Sequence, residues 1–184
     1  MKQSFRKNLI IKNLQEYGDP YFTQNFLGNS FMEFDKIKLR DILKSELPFD
    51  EKVWFLYFTA ARSDETKSIA LHIAKTVLPI YTKRFQNDTR PSDTLRGILD
   101  YSIGKIKWYE LHKKYKSTLI AASEANGAAF HTAYSVAFAA STAYSSGMSI
   151  FVRAYTSANS AYNATKNYPH LRKNLEDYLV SIAK

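Results

Sequence analysis

The sequence predicts an all-α fold: a single multi-helix bundle over residues 36–184 with Ala-rich central helices, preceded by a less regular N-terminal arm over residues 1–35. Three observations carry this expectation. Residues 125–152 contain no Asp, Glu, Lys or Arg, 28 positions in a row within a chain that is 23% charged. A segment so free of charge belongs in an interior. Elsewhere, apolar residues recur at intervals of three and four, the period of a helix face. Pro and Gly punctuate these stretches at helix-length intervals.

Taken in order, the arm carries turn signals at Gly18-Asp19-Pro20 and Gly28-Asn29-Ser30, so one short helix near 5–16 is expected and then irregular chain. From Asp35, the spacing of Ile37, Leu39, Ile42 and Leu43 predicts a helix that Pro48 closes. Asp50 is placed to cap the next one, with Glu51 in its first turn. The run Val53 to Phe58 is apolar on every side and predicts a deeply buried helix. Ser63 is placed to cap the following helix, whose face is Ile69, Ile73, Val77 and Ile80, and Pro79 should kink or end it near Leu78.

Asp88-Thr89-Arg90-Pro91 reads as a boundary, because proline is favoured in a first helical turn. Leu95, Ile98, Leu99 and Ile103 then form a stripe, and Gly104 suits the left-handed position past the helix end. Trp108 opens a helix reaching about Asn126, where Gly127 either breaks it or is tolerated. Segments 128–145 and 148–166 follow, jointed at Gly147. Pro169 begins a last amphipathic helix with Leu171, Leu175, Leu179 and Ile182 on one face.

The stretch 118–165 holds 14 Ala and 13 Ser or Thr, so its helices can approach closely. Phe130, Tyr134 and Phe138 fill the gaps, and the hydroxyls bond carbonyls one turn back. The dipeptide Ala-Tyr recurs at 133–134, 143–144, 154–155 and 161–162, which predicts an aromatic row facing the core. A membrane span is not expected, because strongly apolar residues are sparse and Asn126, His131 and many hydroxyls intervene.

The chemistry that the sequence excludes is broad. His72, His112, His131 and His170 stand in no metal-ligand spacing, and there is no cysteine. Phosphate loops, dinucleotide fingerprints and nucleophile elbows are all missing, so neither a catalytic residue, a metal nor a cofactor is expected. The pairs Asp50-Glu51, Asp64-Glu65 and Glu176-Asp177 are explained by helix starts and solvated faces. The three-residue apolar run Leu9–Ile11 is too short for a secretory signal, and with no cysteine a cytoplasmic location is expected.

Net charge is +9, concentrated in 71–117, where ten basic and four acidic residues give +6. Lys105, Lys107, Lys113, Lys114 and Lys116 interleave with Trp108, Tyr109 and Tyr115. Two readings stay open. The lysines are a surface for an anionic partner, single-stranded nucleic acid included. Alternatively they are the wet face of a helix whose dry face is Trp108, Leu111, Tyr115 and Leu119.

Residues 70–143 carry a further pattern. Val77-Leu78-Pro79-Ile80-Tyr81 ends a helix, Asp88-x-Arg90-Pro91 follows, and Tyr101 precedes Gly104 by three. Two Ala-rich helices with His131 and Thr132 come next. In this order and spacing the segment resembles the putative immunity proteins of bacterial polymorphic toxin systems, fifth class and relatives. Tyr101 stands where that family usually has Trp, and Ser92 where it often has a basic residue. The resemblance implies an all-helical, non-enzymatic protein that binds a protein toxin and masks it sterically. It implies Asp88, Arg90, Pro91, Tyr101 and Gly104 as the signature, with Asp88 accepting N–H groups of the next helix and Arg90 tying the turn to a neighbour. The positive charge then calls for an acidic or membrane-acting toxin, or for contact through the acidic residues of 41–51 and 64–65. A nucleic-acid-binding module built on 105–116 is the alternative.

Overall fold

The computed structural model describes residues 4–17, 20–57 and 61–183. Among them are ten helices and one two-stranded sheet, so the chain is all-α in class. It divides into two compact units, Ser63–Leu175 and the N-terminal residues through Arg62 joined by Glu176 onward. The sequence placed its boundary after residue 35.

In the N-terminal unit, β1 (Ser4–Arg6) pairs antiparallel with β2 (Lys36–Lys38), setting Phe5 opposite Ile37. Both side chains point into the core. The irregular chain expected after residue 16 is instead α2 (Pro20–Leu27), following α1 (Lys7–Tyr17), and then a 3-10 turn at Ser30–Glu33. Pro20 is the first residue of α2, where its missing N–H leaves no gap. The turn signals at 18–19 lie outside the described residues.

Ile37 belongs to the strand and not to α3 (Leu39–Lys44), which is therefore shorter than its apolar spacing implied and ends before Pro48. The helix α4 (Phe49–Phe55) starts two residues earlier than expected, because the Pro48 carbonyl already accepts the Lys52 N–H at 3.1 Å. Asp50 thus sits in the first turn and is not its cap. Val53 through Tyr57 are all buried, as their unbroken apolar run predicts, and Phe58 lies outside the described residues. Phe55 meets Phe5 edge-on at 5.0 Å and Phe26 at 5.6 Å.

The second unit contains α5 (Ser63–Arg84), α6 (Arg90–Ser102), α7 (Trp108–Ser123), α8 (Gly127–Tyr144), α9 (Ser149–Ala164) and the start of α10 (Pro169–Ser181). Pro79 does not end α5, which runs on to Arg84. Pro79 and Lys75 lie on the exposed face, so the carbonyl that proline leaves without an N–H partner opens toward water. Ile69, Ile73, Val77 and Ile80 are buried on the opposite face.

Gly104 and Gly127 both adopt positive φ, 74° and 55°, and Gly127 interrupts the helical run between α7 and α8. The helix α8 is the centre of the unit, packing against α5, α6, α7 and α9. Eleven of its residues are buried, all Ala, Ser or Thr apart from Val136. Thr132 donates to the Ala128 carbonyl at 2.9 Å and Thr142 to that of Phe138 at 2.7 Å, one turn back. Close approach to α9 shows in one contact pair: Ser157 Oγ donates to the Ser135 carbonyl at 2.9 Å, and the two hydroxyls lie 3.3 Å apart.

The Ala-Tyr repeats resolve differently from the core-facing row expected. Ala133, Ala143, Ala154 and Ala161 are buried, while Tyr134, Tyr144, Tyr155 and Tyr162 are only half-buried. Helix axes this close leave room for a methyl group inside and push the rings to the flanks.

Candidate functional site

Two arrangements in the second unit stand out, at opposite ends of α8. The first gathers the signature residues. Asp88 lies in the turn between α5 and α6, where its Oδ1 accepts the Arg90 backbone N–H at 3.1 Å. Arg90 grips the same carboxylate with two side-chain nitrogens, Nε at 2.9 Å and Nη2 at 2.7 Å. The Tyr81 hydroxyl donates to Asp88 Oδ2 at 2.5 Å. Arg90 also reaches Glu124 at the end of α7.

This geometry sets the charges. The Arg90 side chain, ahead of all else, holds Asp88 down at about 2, and Tyr81 adds to that. Asp88 and then Glu124 hold the Arg90 guanidinium above its ordinary value. Burial first, and the bond to Asp88 second, push the Tyr81 hydroxyl up. The Tyr81 ring packs on Ala121, Ala122, Ala129 and Ala133, so the polar network is tied directly to the Ala-rich core. Pro91 is buried in the first turn of α6. Behind it, Thr94 donates to the Lys114 carbonyl at 3.1 Å and lies 2.7 Å from the Thr118 hydroxyl.

Tyr101 is half-buried in the last turn of α6, beside a shallow hollow lined by Leu71, Ile98 and Ala143. Its carbonyl accepts the Gly104 N–H at 3.0 Å, closing the helix end. Tyr101 and Gly104 are therefore not brought to Asp88 and Arg90: the signature divides between the two ends of α6.

The five lysines do not form one strip. Lys105 pairs with Asp100 at 3.2 Å. Lys107 precedes α7, and its backbone N–H is taken by Glu110 Oε2 at 2.8 Å. Lys113 and Lys116 are exposed and share one side of α7. Lys114 points the other way, and its stem lies over Gly97, where a Cβ would come within 2.5 Å of Lys114 Cδ. The expected dry face holds at Leu111, which is buried, and in part at Tyr115 and Leu119, which are half-buried, but not at Trp108. Trp108 is 58% exposed, and Leu111, Thr118, Ala121 and Ala122 turn inward. Nor does the stripe of α6 hold to its end, for Leu95 and Ile98 are buried while Leu99 and Ile103 face out.

Of the second arrangement the sequence reading picks out Trp108, Tyr109 and Tyr115, but not His112, Tyr144 or Arg153. At the α7 start, Trp108 meets Tyr109 at 6.2 Å and His112 at 6.3 Å. His112 Nδ1 lies 3.0 Å from the Tyr144 hydroxyl, and its ring is 5.5 Å from Tyr115. Tyr115 contacts Phe138, which continues through Tyr134 to Phe130. Burial lifts the Tyr115 hydroxyl above its ordinary range, and nearby Arg153 opposes that. Arg153, half-buried on α9, donates to Ser141 Oγ on α8. Its sequence signal is its isolation, as the one charged residue in 125–165. His131 lies at the far end of the ring row, against Phe130 at 5.1 Å, and burial lowers its pKa.

Among the described residues no group of acidic, His or Cys side chains could hold a metal ion, and no helix is long and apolar enough to cross a membrane. No curated protein and no solved structure is similar enough to match. A protein family does match, the Imm-5 like putative immunity proteins, over residues 63–181. That span extends beyond the 70–143 of the sequence pattern and starts at the first residue of the second compact unit. It covers more than half of the chain, which therefore belongs to the Imm-5 like putative immunity protein family.

Proposed function

We propose that this chain is a non-enzymatic binding protein that neutralises a partner toxin by covering it. The observation that carries this is the family match across the whole helical unit. The Asp88–Arg90–Glu124 network adds support of a negative kind. Its hydrogen bonds run between its own members, tying the ends of α5, α6 and α7. Such a network keeps a scaffold rigid for recognition. The excess of positive charge favours a partner that is acidic at its contact surface and speeds their encounter. Action in the cytoplasm, where a toxin made by or delivered into the same cell would be met, is part of this reading.

The test is co-purification with the product of the adjacent toxin-like gene, followed by its co-expression in a growth assay. The expected result is a stable complex and restored growth. A neighbour-encoded toxin that kills equally well with the chain present, and forms no complex with it, would overturn the reading.

A further inference from the structure

Arg153 is an unusual guanidinium. It is the only charged side chain among 41 consecutive residues, 125–165, and α8 and α9 supply it with no carboxylate. Its hydrogen bond goes to a single hydroxyl, Ser141 Oγ, although a guanidinium has five N–H donors. Among the described residues no acidic side chain pairs with it. A half-buried arginine left with spare donors is placed to take a carboxylate in two parallel bonds.

The surroundings fit a protein partner. Tyr115 lies near Arg153, and through Tyr144 and His112 it leads to Trp108 and Tyr109. Trp108 and Tyr109 are 58% and 50% exposed, at the tip of the α6–α7 hairpin. Exposed large aromatics at the end of a ring row that begins at an arginine are the composition of an interface centre and not of a solvated helix face. Lys113 and Lys116 flank the same helix and carry no ion pair among the described residues. We infer that this end of the helical unit docks an acidic, apolar-bearing segment of the toxin, with one carboxylate on Arg153 and apolar side chains against Trp108 and Tyr109.

This inference rests on the proposed function, and the test separates the two. The full chain is titrated calorimetrically with the purified toxin domain of the adjacent gene. Arg153→Gln and Trp108→Ala are each expected to weaken binding at least tenfold, and Arg153→Lys less than Arg153→Gln. Lys83→Ala, which removes the same unit of charge at the opposite end of the unit, is expected to leave binding within twofold. If the unaltered chain binds no toxin, the proposed function fails and this inference falls with it. If the complex forms and Arg153→Gln and Trp108→Ala bind as well as the unaltered chain, the inference alone is overturned. A fluorescent 20-mer of oligothymidylate is the second probe. Tight, salt-sensitive binding that Trp108→Ala abolishes would assign the face to nucleic acid and overturn a protein occupant. Thermal melting accompanies each variant. Should Arg153→Gln unfold, Trp108→Ala and Tyr109→Ala decide, because both side chains are exposed and their loss leaves the core intact.

Discussion

Asp88 and Glu51 are both carboxylates held by hydrogen bonds, and their surroundings move them in opposite directions. Arg90 holds Asp88 down at about 2. Its folded value lies below its unfolded one, so the stabilisation is complete above about pH 4 and is lost as pH falls toward 2. Asp88→Asn is expected to cost roughly 2 kcal/mol at pH 7 and almost nothing at pH 2, read from urea melts across that range. Glu51 is fully buried, with Asn25 donating to Oε1 at 2.5 Å and Oε2 lacking a partner among the described residues. Desolvation raises its pKa above 4.5. The sign is therefore reversed: the charge opposes folding, and the penalty grows as pH rises through the folded pKa. Glu51→Gln is expected to raise the melting temperature at pH 8 and leave it unchanged at pH 4. Asp88 was singled out in the sequence because its turn is recognisable locally. In the sequence Glu51 is only a helix-start acid, since nothing in its neighbours along the chain announces Asn25, 26 residues away.

At the scale of the element, α8 and α9 show why small residues were chosen. Ala154, Ala158 and Ala161 are buried without remaining space for a longer side chain at so close a helix crossing. Ala158→Leu is expected to cost about 1–3 kcal/mol by overpacking, measured by chemical denaturation. Gly97 behaves otherwise. A methyl there meets the Lys114 stem, a flexible chain end that can swing into water. Gly97→Ala is thus expected to stabilise α6 by about 0.5 kcal/mol, the helix gain of alanine less the cost of moving Lys114. Helix existence and most starts were legible, because proline, glycine and apolar period act over a few residues. What covers each face was not. The spacing of Trp108, Leu111, Tyr115 and Leu119 suits burial, yet the hairpin tip leaves Trp108 in solvent. Ile37 has helical spacing with Leu39 and Ile42, yet β1, distant in sequence, claims it as a strand.

Across the whole molecule, the second unit is organised around α8, which neighbours contact on several sides. Native-state hydrogen exchange should find its slowest amides within 132–143, protected at least ~100-fold more than the 145–148 joint, because core helices open only with large free energies. The charge-poor stretch, the periodicity and the punctuation were sufficient to determine an all-helical chain with an interior made of alanine and hydroxyl side chains. They act locally, so one strand of sequence carries them. Only the tertiary structure decided that the N-terminal residues have a core of their own, that the tyrosines of the Ala-Tyr repeats sit at the flanks, and that the lysines of 105–116 scatter around α7. It alone set Arg153 near Tyr115, and Tyr115 against Tyr144, from three successive helices of the chain. Such juxtapositions depend on which helices cross and how closely, and that is settled by packing between distant segments.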